Sequence, residues 1–129
     1  MLRRFNPRGV APPLSNYSHA VVVPDGMKQL HVAGQIGITP DGAIPDDVGE
    51  QARWCFANIL AILAAEGMTA DNLVSLTTYV VGEDNLAAVR QARQQTLGEA
   101  APASTLVFVT ALATPALKVE VQAVAASVV

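Results

Sequence analysis

The spacing of apolar residues changes several times along the chain, and each change marks an element. A β-branched run from His19 to Val23 stops at Pro24-Asp25-Gly26, a turn signature, and Gln29 to Gln35 reads as a second strand, so the two are expected to pair as a hairpin. After a further turn at Thr39-Pro40-Asp41-Gly42, the residues Val48, Ala52, Cys55, Phe56, Ile59 and Leu63 recur at helical spacing. Asp46 or Asp47 can cap that helix and Gly67 ends it. Leu73 to Val81 is rich in β-formers and stops at Gly82. Asn85 is placed to cap a second helix from Leu86 to Glu99, which Pro102 prevents from continuing. Two last strands, Thr105 to Leu112 and Lys118 to Ser127, flank a loop containing Pro115.

The order ββαβαββ predicts an α+β domain: one sheet with two helices on one face. The other face is expected to be apolar as well, because Leu106, Val107, Phe108 and Val109 are adjacent on one strand and alternation sends them both ways. Residues 1–129 read as one domain, with 1–15 an extended arm in which Pro12-Pro13 resists helix.

Composition narrows the function classes. The chain is 51% hydrophobic and only 15% charged, against about a quarter charged in ordinary soluble domains, which excludes disorder and favours self-association. Its longest apolar stretch, Trp54 to Ala65, is broken by Asn58 and falls short of the roughly 18 residues a spanning helix needs, so no membrane role is expected. The basic start lacks the apolar stretch of a secretory signal, and the single cysteine, Cys55, cannot form an internal disulfide. Both point to the cytoplasm. The net charge of −3, with scattered cations, opposes a nucleic-acid partner.

The sequence has no P-loop, nucleophile elbow, zincin helix or dinucleotide fingerprint. His19, His31 and Cys55 lack metal spacing, so neither metal nor cofactor is expected. Among the eleven acids, Glu120 alone lies inside a strand, sharing a face with Lys118 and Gln122. Two readings stay open: a solvated strand face, or an acid in a cleft where it handles protons.

Four segments in order carry a family likeness: Tyr17-Ser18-His19-Ala20, Ala33-Gly34-Gln35-Ile36, Pro102-Ala103-Ser104-Thr105 and Val119-Glu120-Val121. With Gln51-Ala52, Asn58-Ile59 and Ala64-Ala65-Glu66-Gly67, they make the chain resemble the Rid family, the reactive intermediate deaminases also labelled YjgF or L-PSP endoribonuclease. The resemblance implies a chorismate-mutase-like fold, a homotrimer with a central barrel, and clefts for a small metabolite between subunits. It implies hydrolysis of imines or enamines to a 2-keto acid and ammonia, without cofactor or metal. Carried over, Tyr17 lines the cleft, Gly34 lets backbone approach the ligand, Thr105 adds a hydrogen-bonding group, and Glu120 is the catalytic residue that positions or activates water.

The departures concern the substrate. The family's deaminases have arginine after Pro-Ala, which grips a carboxylate by two charge-assisted bonds, whereas this chain has Ser104. Each lost charged hydrogen bond is worth about 1.5 to 3 kcal/mol. Leu106 replaces a common cysteine, a position whose role is carried by main chain. Arg90 stands where many members have asparagine, and is either an exposed helical arginine or a replacement positive charge. The sequence therefore supports a cofactor-free hydrolase of a small imine, enamine or related compound. The alternative is a non-catalytic metabolite-binding protein on the same scaffold, and the ribonuclease or translation-inhibitor activity in the older label is opposed by the charge.

Overall fold

In the computed structural model, which describes residues 1–129, the longer helix forms where the apolar spacing places it. Helix α1 spans Val48–Ala65. Of the two candidate caps, Asp47 does the capping, its carboxylate accepting from the Glu50 amide at 2.9 Å. Gly67 terminates the helix at φ 70°, a conformation glycine adopts without steric cost, and the Met68 amide returns to the Leu63 carbonyl.

Helix α2 spans Leu86–Leu97 and stops two residues short of Glu99, because Gly98 takes φ 58°. Asn85 does not cap it: its amide turns back to the Val81 carbonyl at 2.8 Å, fixing the preceding turn instead.

The strands are β1 (Arg3–Phe5), β2 (Ala20–Val22), β3 (Lys28–Ile36), β4 (Leu73–Val80), β5 (Ala103–Phe108) and β6 (Val119–Ser127). Two corrections follow. The expected hairpin between the β2 and β3 segments does not form; β2 pairs antiparallel with β1, and β3 pairs along its length with β6. A turn signature reverses the chain without choosing its hydrogen-bond partner, and here the leading residues take that place, with Arg4 anchored to the Asp71 carbonyl at 2.5 Å. There are accordingly two sheets rather than one, the β1-β2 ribbon and a four-stranded sheet of order β3-β6-β4-β5. In the latter only β4 and β5 are parallel, joined by a crossover through α2. Strand β5 begins and ends earlier than predicted, and the Val109 amide adds a last bond to Val80.

Both helices pack on one face of this sheet. Phe56, Ile59 and Leu63 of α1 meet Leu76, Val80 and Val121 of the sheet, all essentially inaccessible. Each is worth about 1.5–3 kcal/mol of burial. Gln51 is buried among them without penalty: its amide donates to the Pro45 and Ala116 carbonyls at 2.8 and 2.9 Å, and its oxygen accepts from the Lys118 amide at 2.9 Å. That one side chain ties the loops before α1 and before β6 together.

The opposite face differs from expectation. Leu106 turns toward the helices and packs on the core, while the open face carries Thr77, Tyr79, Glu120, Gln122 and His31 alongside Val107 and Val124. Register decides this: Thr78, opposite Leu106, is on the buried side, so β5 sends every second residue inward and its run of apolar residues is split between two faces.

Candidate functional site

A cavity of about 370 Å³ opens where the leading arm, α2 and the edge strand β5 meet. Its floor is apolar, built from Phe56, Val89 and Leu106, and its walls are polar, with Asn16, Tyr17, Arg90, Arg93, Ser104 and Thr105. That combination of apolar base and few convergent polar groups is typical of small-molecule sites.

The arm is seated by Ser18, whose hydroxyl donates to the Ala101 carbonyl at 2.6 Å and whose amide donates to Pro102 at 3.2 Å. Asn16 donates to the Gly98 carbonyl at 3.1 Å. His19 holds the stretch ahead of it through the Ala11 carbonyl, 2.6 Å from Nε2, and its ring meets Tyr17 edge-on at 5.6 Å. So Tyr17 is braced by the histidine two residues after it. His31, by contrast, is exposed on the open face, bonded to Gln29.

Arg93, not singled out by the sequence reading, is the central side chain of the pocket. Its Nη2 donates to the Asn16 carbonyl at 2.7 Å and to Ser104 Oγ at 3.2 Å, while Ser104 donates to the Pro102 carbonyl at 3.0 Å. The position lacking the motif arginine thus receives a guanidinium from α2. Burial, and then the charge of Arg90, make Arg93 less ready to hold its proton than an ordinary arginine. The available signal was the three-residue spacing of Arg90 and Arg93, which puts both on one helix face.

Of the predicted residues, the fold brings Tyr17, Arg90, Ser104, Thr105 and Leu106 to this cavity and leaves Gly34 and Glu120 outside it. Those two form a second group. The β3–β6 register slips between Val32 and Gln35, making a bulge at Gly34, and a Cβ there would run into the Glu120 carboxylate, with Cδ 2.9 Å away. Glycine is required because the acid occupies the space. Glu120 pairs across from Tyr79 of β4, which pairs with Val107 of β5, so it stands two strands from the cavity's edge strand. Its carboxylate has neither a hydrogen bond nor an ion pair within the chain; the ion pairs are Lys28–Glu66 and Arg53–Glu50.

Cys55 lies in the core, its thiol donating weakly to the Val119 carbonyl at 3.6 Å. Burial, reinforced by the negative charge of Glu120, pushes the thiol up to about 12, so it stays protonated and is no nucleophile. No three His, Cys, Asp or Glu side chains cluster as a metal would need, and no helix is long and apolar enough to cross a membrane.

Fold and pocket define a small α+β protein with a cation-walled cavity for a small molecule. Comparison with known proteins gives the class its family. A family model described as Endoribonuclease L-PSP matches residues 9–127. The RutC family protein PH0854 of Pyrococcus horikoshii is 30% identical over 115 residues, 88% of each chain. Among solved structures, the conserved Rid family protein YyfB of Yersinia pestis superposes with a TM-score of 0.84 at 33% identity, covering 96% of this chain and 97% of that one. Escherichia coli TdcF, solved with bound serine, gives 0.72 at 26% identity, covering 97% and 98%. The chain belongs to the Rid (YjgF/L-PSP) family.

Proposed function

We propose that this protein is a cofactor-free hydrolase of a small imine or enamine, working as a homotrimer whose sheets form a central barrel and whose ligand clefts lie between subunits. The observation that carries the proposal is the division of the site: the cavity holds cations and hydrogen-bonding groups, while the unpartnered acid, Glu120, stands apart on the open sheet face. Facing a neighbour's cavity, Glu120 would complete it. TdcF, 30% identical over 71 residues and named provisionally as a reactive intermediate deaminase, supports the reaction class, and its bound serine supports a small ligand of amino-acid size.

In this reading Glu120 takes a proton from water as the oxygen attacks the imine carbon, then returns a proton to nitrogen as the carbon–nitrogen bond breaks. The products are a 2-keto acid and ammonia. Imine hydrolysis is already facile in water, so positioning and one proton-transfer group suffice. The whole chain acts as one domain, in the cytoplasm, with no metal or cofactor.

The test is ammonia release from enzymically generated 2-iminopropionate. Wild-type release above the spontaneous rate, lost about 10²-fold or more in Glu120→Ala, is the expected result. A ligand that binds and survives incubation unchanged would instead make the protein a non-catalytic binder.

A further inference from the structure

Arg93 and Arg90 pose an electrostatic problem that nothing else in the chain resolves. No acidic residue lines the cavity, both ion pairs lie elsewhere, and neither arginine has a carboxylate partner. The chain as a whole carries −3, so this is not part of a generally basic surface. Arg93 is half-buried and held in place through Nη2 alone; Nε and Nη1 make no hydrogen bond to protein. Arg90, one turn earlier and exposed, stands at the rim. A half-buried cation beside a second cation is costly without an anion, and two cations set at different depths match a ligand with two separated anionic groups better than one with a single charge.

We infer that the ligand of this cavity carries two carboxylates, one meeting the unused Nη1 donors of Arg93 at depth and the other met by Arg90 at the rim. Resting on the reading of this cavity as the ligand cleft, the inference makes imines of dicarboxylic 2-keto acids the preferred substrates, with simple monocarboxylic ones accepted more weakly. Ser104 then serves by orienting Arg93, and Arg90 is the residue that tells two charges from one.

Calorimetric titration with 2-oxoglutarate and 2-oxobutyrate, stable keto acids with two carboxylates and one, tests this. Wild type is expected to favour 2-oxoglutarate by about tenfold or more, one charged hydrogen bond's worth. Arg90→Gln, at an exposed position that leaves packing intact, should erase the preference while keeping the affinity for 2-oxobutyrate. Arg93→Lys should weaken both acids, because an ammonium lacks the spread of donors by which one guanidinium holds Asn16 and Ser104 and still faces the ligand, and its thermal melt reports whether the fold is kept. Equal wild-type affinities, or a preference surviving Arg90→Gln, would overturn the inference. Ammonia release separates it from the hydrolase reading: selective binding without turnover upholds the two-carboxylate ligand and removes the hydrolase, and turnover without selectivity does the reverse.

Discussion

The cavity between α2 and β5 and the bulge between β3 and β6 stand apart within one chain, and the proposed function makes them two halves of one site. The first has cations without an anion, an apolar floor and a seated arm. The second has a carboxylate without a partner, over a glycine that leaves it room. One can hold a ligand and the other can move a proton, yet strand β4 lies between Glu120 and the cavity's edge strand. In the proposed shared site, this separation lets each copy present its two halves to different neighbours.

Substitutions at the two halves should therefore fail differently. The largest effect belongs to Glu120→Gln, which removes the proton-transfer group and should slow turnover by about 10²-fold or more while leaving keto-acid affinity unchanged. If affinity collapsed with rate, Glu120 would be a binding group and the division would dissolve. Next comes Gly34→Ala, whose methyl group overlaps the Glu120 carboxylate. Displacing that side chain should cost about 1–3 kcal/mol of stability in a denaturant melt and reduce turnover without weakening binding.

Ser104→Ala removes one of the two acceptors of Arg93. It should weaken ligand affinity by about 0.5–1.5 kcal/mol and leave turnover at saturation unchanged, the reverse of the Gly34 pattern. The smallest effect concerns Cys55, beneath the acid. A buried thiol raised from 9.0 to about 12 is stabilising while the unfolded thiol also remains protonated, below about pH 9, and that contribution falls as pH rises toward 12. Cys55→Ala should accordingly flatten the loss of stability above about pH 9 in denaturant melts, and native wild-type protein should resist thiol alkylation.

Much of this was legible in the sequence because local chemistry wrote it. Asp47, Gly67 and the spacing of Phe56, Ile59 and Leu63 define α1, and the ordered segments around Tyr17, Ser104 and Glu120 named the family. Long-range choices were not legible. β2 pairs with Arg3–Phe5, whose Arg4 reaches the Asp71 carbonyl 67 residues away, and no turn signature encodes either contact. Arg93 escaped notice for a related reason: its partners, Asn16 and Ser104, lie on two other segments, and only the folded arm brings them to α2. The site residues read from the family likeness divided into two groups because the likeness belongs to positions, whereas the distance between Glu120 and the cavity belongs to the sheet order.

The most direct test of a shared site is complementation between two defective proteins. Arg93→Ala and Glu120→Ala subunits, each inactive alone, would be co-expressed in equal amounts and the mixed oligomers assayed for ammonia release. If the cavity of one copy uses the acid of its neighbour, one of the three sites in any mixed trimer combines an intact Arg93 with an intact Glu120, so activity should return to about one third of wild type. Mixed oligomers of verified composition that stay inactive would place both halves' function within single chains and contradict the account.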